Sequence, residues 1–408
     1  MPEPAATGIA VGVAGRPETA ALVAVAEAFA ASGLDRAALC LIVADGAEAG
    51  APLDTARAAV AAGCEVVRAA VEPPAPGDLP YHGAIGRSGA IRAVVSAARD
   101  RQASAVAFVG ADLGTFPPDW IPALVRPAAT MEIDYVSPHY RRAPFEGAIT
   151  RSIVYPMFRA MYGLRVRQPA AAEFGASARF QQHLIDLGLW DLEGADSGID
   201  LWLATAAAGG GFRLGETLLG ARPAAPAAVA PDLSVTIAQL VGALFNDLER
   251  RDAVWQRIRG SVPVPVVGEV TDETGPDRDQ DPAPYLESFR LGYSALRDVW
   301  AWVVPPRAIL DLKRASDRPP DQFRLDDDLW ARIVYDFAVA YRGRGMPRDH
   351  LLRALTPLYL GWLASFLTEM RGRTAADADG RQERLCAAFE QQKPYLVSRW
   401  RLPDRFRV

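Results

Sequence analysis

The chain reads as an α/β domain followed by an all-helical domain, and three observations predict that class. Over roughly the first 220 residues, short β-type runs alternate with Ala-rich amphipathic stretches, as in a mainly parallel sheet covered by helices. At 221–232 the sequence ARPAAPAAVAPD breaks the periodicity with three prolines, which marks a linker or surface loop. From Leu233 onward the 3.6-residue period dominates. The full 408 residues suffice for two domains with substantial cores, expected at 1–230 and 231–408.

The elements follow in order. Ile9 to Val13 is a first strand and Ala20 to Ser32 a helix, stopped by Gly33. Ala38 to Val43 is a second strand ending in Ala44, Asp45 and Gly46, and Asp54 caps a helix running to Ala62. Cys64 to Ala69 is a third strand. Glu72 to Gly86 holds four prolines and three glycines and reads as an active-site loop. A helix over Ser88 to Ala98 leads to a strand ending near Gly110; a helix from Trp120 and a strand over Tyr135 to Pro138 come next. The helical part is expected over Ser234 to Trp255, Tyr285 to Val303, Asp326 to Tyr341, Arg348 to Met370 and Gln382 to Trp400, with an acidic solvated loop at 269–281.

Composition excludes several classes. A net charge of -5 and a pI near 5.6 provide no general attraction to nucleic acid or anionic membrane. The three cysteines have no CxxC spacing, as expected of reduced, buried thiols. No run approaches 18 uninterrupted apolar residues and the N-terminus lacks a basic segment before its apolar part. A soluble, cytoplasmic protein with no transmembrane segment is the expectation, with homo-oligomers open.

In open α/β sheets, ligands gather at the carboxyl ends of the strands, so the residues there are the candidates. Arg16 follows the first strand, Asp45 ends the second, and Asp112 follows the apolar run AVAFVG. An Asp-Gly turn accounts for Asp45 equally well, and a cap or turn for Asp112. Gly86, Arg87, Ser88 and Gly89 open a helix whose backbone N–H groups and guanidinium suit a diphosphate. Ser137 to Ser177 concentrates six arginines with aromatic residues, which suits an acidic, polyhydroxylated acceptor; Tyr140, Arg141 and Arg167 are its candidates. The alternative there is a packed helix whose core face is Ile153, Val154, Met157, Met161 and Tyr162. Asp196 and Asp200 would share one helix face.

The order of these motifs resembles bacterial GT-A fold glycosyltransferases of the mannosylglycerate synthase and glucosyl-3-phosphoglycerate synthase type. VADGAEAG, IGRSGAIR, VGADLGTFPPDW, FEGAITRSIVYP, RQPAAAEFG, DSGIDLWL and LGARPA answer that family's motifs co-linearly over residues 7 to about 270. The resemblance implies a nucleotide-diphospho-sugar transferase with a Rossmann-like mixed sheet and an all-helical C-terminal domain. It implies Arg16, Asp45, Arg87 and Asp112 for the nucleotide-sugar, and Asp200 and Glu173 for catalysis.

The departures concern the metal. Gly110 stands where the first acid of the DxD pair is expected, and Ala224 where a metal-binding His is expected; Ala171 and Ala172 replace a Gly pair. Asp112 alone, with the diphosphate, would hold Mg²⁺ or Mn²⁺ weakly or not at all, and Arg87 and Arg222 would supply positive charge instead. The expected activity is transfer of a hexose from a UDP- or GDP-linked sugar to a hydroxyl acceptor. The alternative is a GT-A scaffold that has lost catalysis and serves as a binding or assembly partner.

Overall fold

The structure is a computed structural model that describes residues 8–14, 19–35, 39–45, 54, 58, 65–71, 86–110, 116–141, 147–192, 194–223, 232–269 and 280–401. In chain order the strands are β1 (Ile9–Ala14), β2 (Leu39–Asp45), β3 (Glu65–Ala70), β4 (Ala105–Gly110), β5 (Tyr135–Arg141), β6 (Leu164–Arg165), β7 (Phe174–Ser177), β8 (Leu214–Ala221), β9 (Val262–Pro263) and β10 (Val266–Val267). The helices are α1 (Thr19–Ala31), α2 (Arg87–Asp100), α3 (Trp120–Ala129), α4 (Tyr155–Tyr162), α5 (Ala178–Leu187), α6 (Ala195–Gly209), α7 (Leu233–Arg250), α8 (Asp252–Trp255), α9 (Ala283–Val303), α10 (Pro306–Ser316), α11 (Asp327–Gly343), α12 (Arg348–Met370) and α13 (Ala375–Arg401). Apart from Asp54 and Ala58, the helix expected over 54–62 lies outside the described residues.

Eight strands form one sheet in the order β10-β8-β5-β7-β4-β1-β2-β3. All pairings are parallel except those of β7, which runs antiparallel to both β4 and β5. This is a mixed, mainly parallel α/β sheet, the class expected from the sequence. A strand buried on both faces must be apolar throughout, and β4 is fully buried along its length. Val11, Val13, Leu41, Val43, Ala107 and Val109 share a core with Leu22, Phe29, Ile121 and Leu124, as the two-residue period of strands requires. On the other face α2 approaches so closely that a Cβ on Gly12 would lie 2.2 Å from Val94 Cγ1.

The chain divides into two compact units, the first comprising Met1–Arg141, Val166–Ala230 and Pro263–Glu273, the second Arg142–Arg165, Pro231–Val262 and Thr274–Val408. The single division expected at 230/231 is therefore crossed twice. Residues 263–273 return to the sheet because β10 adds to β8 in parallel. Residues 142–165 join the helical unit because α4, buried along its whole length, packs on α13.

That second crossing corrects the reading of the arginine-rich stretch. Three of its six arginines are bound within the helical unit: Arg159 pairs with Glu383 at 2.6 Å and Glu390 at 2.7 Å, Arg151 with Asp379 at 3.4 Å, and Arg165 donates to Ser261. Burial opposes the charge on Arg159, but the two carboxylates outweigh it and hold the guanidinium more firmly protonated. Helix α12 is long and apolar enough to cross a membrane, which the count of uninterrupted apolar residues missed, yet 72% of its apolar window is buried. It packs on α9, α7 and α11. Helix α10 was not anticipated, because Pro305 and Pro306 look like a break; Pro306 instead occupies the first helical position, where its missing N–H costs nothing.

Candidate functional site

Parallel register brings the strand ends to one edge. Ala14 of β1 is level with Ala44 of β2 and Gly110 of β4, and Asp45 is the next residue of β2. Because β7 runs the other way, its first residues meet the same edge: Phe174 pairs with Phe108, so Glu173 just before it stands beside the end of β4. Further along, Tyr140 and Arg141 are level with Gly220 and Ala221, and Arg222 follows β8. Candidates as far apart in sequence as Asp45 and Arg222 thus meet along one sheet edge. Arg16 and Asp112 lie outside the described residues, as does Ala224, while Asp45 is placed by its backbone at the end of β2.

Arg87 starts α2 after Gly86, whose left-handed φ of 72° glycine adopts without strain. Its guanidinium does not present its charge to a ligand. Nε and Nη2 donate to the two carboxylate oxygens of Asp200 at 2.7 and 2.8 Å, and Nη2 and Nη1 also donate to the carbonyls of Ala172 at 2.9 Å and Ala14 at 3.3 Å. Both side chains are 0% exposed. The two residues expected at the diphosphate and at the reacting sugar, Arg87 and Asp200, are thus paired with one another. Each neutralises the other, and together they tie the end of β1, the segment before β7 and helix α6 to the start of α2.

Asp196, one turn before Asp200 on α6, completes the arrangement. Its Oδ1 accepts the backbone N–H of Ser88 at 2.9 Å. The shared face of Asp196 and Asp200 is therefore real, but it is turned to the start of α2. A carboxylate of the chain itself sits where the helix dipole favours an anion.

Glu173 is also fully buried. It accepts hydrogen bonds from the Tyr140 hydroxyl and from Arg222, whose Nη2 lies 3.0 Å from Oε1. Tyr140, expected at the acceptor, is 5% exposed and directs its hydroxyl to Glu173. The Arg222 side chain keeps 18% exposure and is the partly open member of this group. Arg167 donates through both its backbone N–H and Nη1 to buried Glu216. Burial raises the Glu216 carboxyl above the ordinary range, and Arg167 opposes that. The Arg167 side chain remains 42% exposed.

His139 was not singled out from sequence as a site residue. Burial, then Arg167 and Arg141, push its pKa down to about 4, so it is a neutral imidazole at pH 7. Its Nδ1 is buried and has no hydrogen-bond partner among the described residues. A histidine placed between two arginines on β5 and the β6–β7 segment is a tertiary arrangement with no local sequence signal.

The described residues hold no group of three or more His, Cys, Asp or Glu side chains suited to a metal ion. A hard cation needs several oxygen ligands, and Gly110 brings none. No protein-family model matches the chain, and no curated protein matches it. Solved structures of glucosyl-3-phosphoglycerate synthase from Mycobacterium tuberculosis do match. The complex with Mg²⁺ and UDP is 22% identical over 60% of this chain and 80% of that one, with a TM-score of 0.43. The complex with Mn²⁺, UDP-glucose and glycerol 3-phosphate is 21% identical over 67% and 88%, with a TM-score of 0.44. Likeness at these values carries no argument about chemistry.

Proposed function

We propose that the sheet unit binds a nucleotide-diphosphate sugar, UDP- or GDP-linked, at its carboxyl edge and transfers the hexose to a hydroxyl acceptor. The observation that carries this reading is the register of that edge: the ends of β1, β2 and β4 level with one another, Asp45 at one of them, and antiparallel β7 bringing Glu173 alongside. Such an edge is where open α/β sheets bind nucleotides. Asp45 and Arg16 serve the nucleoside, and Asp112 the ribose or phosphates.

Arg87 and Asp200 fix the framework of the site without touching the sugar. Arg222, held by Glu173 and partly exposed, is a cation at that edge for the departing diphosphate, a task that arginine performs well. Mg²⁺ or Mn²⁺ held by Asp112 and the diphosphate would add charge neutralisation, with Gly110 bringing no second carboxylate. Arg141 and Arg167 with neutral His139 suit an anionic acceptor.

The mutual neutralisation of Arg87 and Asp200 also favours a second reading, a scaffold that binds without catalysing. Calorimetric titration of UDP and GDP into the full chain, with and without Mn²⁺, tests the nucleotide site. Binding of one nucleotide, weakened at least tenfold by Asp45→Ala, is the expected result; no binding of either removes the transferase reading.

A further inference from the structure

The helical unit contains a pocket of about 410 Å³ that sugar transfer at the sheet edge does not use. Five arginines line it: Arg307, Arg314, Arg318, Arg324 and Arg332. Helix α10 presents Arg307 and Arg314 seven residues apart, and hence on one face. Arg318 follows that helix, Arg324 precedes α11, and Arg332 lies on it. Like charges gathered this closely repel one another unless an anion lies among them.

The carboxylates in the lining do not offset the cluster. Three aspartates, Asp311, Asp326 and Asp328, face five guanidiniums, a surplus of two positive charges. Asp326 is committed as the cap of α11, accepting the N–H groups of Asp328 at 2.9 Å and Leu329 at 3.3 Å. Asp311 meets Arg314 at 3.1 Å, but that arginine side chain is 75% exposed, and such surface pairs are weak. Among the described residues, no carboxylate lies within ion-pair distance of Arg307, Arg318, Arg324 or Arg332.

Two of the guanidiniums are already oriented. Arg332 donates to Gln392 at 2.7 Å and lies over the Tyr395 ring, and Arg324 donates to the Phe323 carbonyl at 2.7 Å. A guanidinium has five N–H donors, so donors remain on both after these bonds. Residues 306–332 as a whole carry six basic and six acidic side chains, and five of those basic but only three of those acidic ones line the pocket. The positive surplus belongs to the pocket, which favours a compact anion over a broad charged surface.

We propose that this pocket binds a small anion carrying a phosphate or diphosphate group, gripped by bidentate guanidinium contacts. A volume of about 410 Å³ is in the range of small-molecule sites. The same chemistry is available from a soluble phosphate compound and from a phospholipid headgroup.

The test is calorimetric titration of inorganic pyrophosphate into the full chain at low ionic strength, for the parent and for Arg307→Gln with Arg314→Gln. UDP is present throughout, so that pyrophosphate does not report on the sheet edge. Both side chains are exposed, so the variant should melt as the parent does; the single variant Arg318→Ala is the second probe should it not. The expected result is at least a tenfold weaker affinity in each variant. Sedimentation with vesicles of phosphatidylcholine and phosphatidylglycerol, lost in the variants, would assign the phosphate to a headgroup and also support the pocket. Equal pyrophosphate affinity in parent and variants, or binding to neither probe, overturns the proposal.

Discussion

Replacing Asp200 by Asn leaves the Arg87 guanidinium in place and takes away its counter-charge. Arg87 is 0% exposed and makes two bonds of 2.7 and 2.8 Å to the carboxylate, while the Ala14 and Ala172 carbonyls offer only partial negative charge. An uncompensated buried charge of this kind costs about 3–5 kcal/mol. For a unit of this size the melting temperature should fall by on the order of 10 °C. Urea and thermal unfolding measure the loss, with NDP-sugar turnover followed in parallel at a temperature where both proteins are folded. The double variant Arg87→Met with Asp200→Leu removes both charges and should recover most of the stability, since a buried pair replaced by apolar groups is often neutral. If Asp200→Asn unfolds within about 1 kcal/mol of the parent and turnover alone collapses, the pair does not anchor the framework and Asp200 belongs in the chemistry after all.

Other perturbations follow from the same structure. His139 has a folded pKa of about 4 against 6.5 when exposed, so the unfolded chain binds more protons between those values. Its contribution is complete above pH 6.5 and is lost toward pH 4, by about 3 kcal/mol at most; His139→Gln should remove that pH dependence from the unfolding curve. Asp336 has the opposite sign: burial raises its pKa to about 7, against the pull of Arg399 and Tyr395. Stability from Asp336 is present below pH 3.8 and lost as pH rises through about 7, and Asp336→Asn should flatten that part of the curve. Gly175→Ala would put a Cβ 2.0 Å from the Leu124 carbonyl oxygen, and urea unfolding should register a loss of about 1–3 kcal/mol or more.

The fold was legible because its signals are local. The runs ending at Ala14, Asp45 and Gly110 are apolar over the length of one strand, and Gly33 and Gly86 mark the helix ends. The site was legible only as a set of positions. Arg87 and Asp200 are 113 residues apart, and nothing in either neighbourhood says that they meet or that burial is complete. A basic residue at a helix start and an acid in a first turn look alike in sequence whether they serve a ligand or each other. The same applies to Arg159, whose partners Glu383 and Glu390 lie more than 220 residues away. Gly110 and Ala224 were readable as departures because they are absences of a side chain, which no folding can restore.

Release of nucleotide diphosphate from UDP- and GDP-hexoses, with Mn²⁺ and with EDTA, tests the central claim most directly. A transferase site at the carboxyl edge predicts release from one of the two nucleotides, stimulated by a hydroxyl acceptor, reduced by Arg222→Ala and changed little by EDTA. No release from either donor, with or without Mn²⁺, from a chain that is folded and binds the nucleotide, would contradict it and leave a binding scaffold.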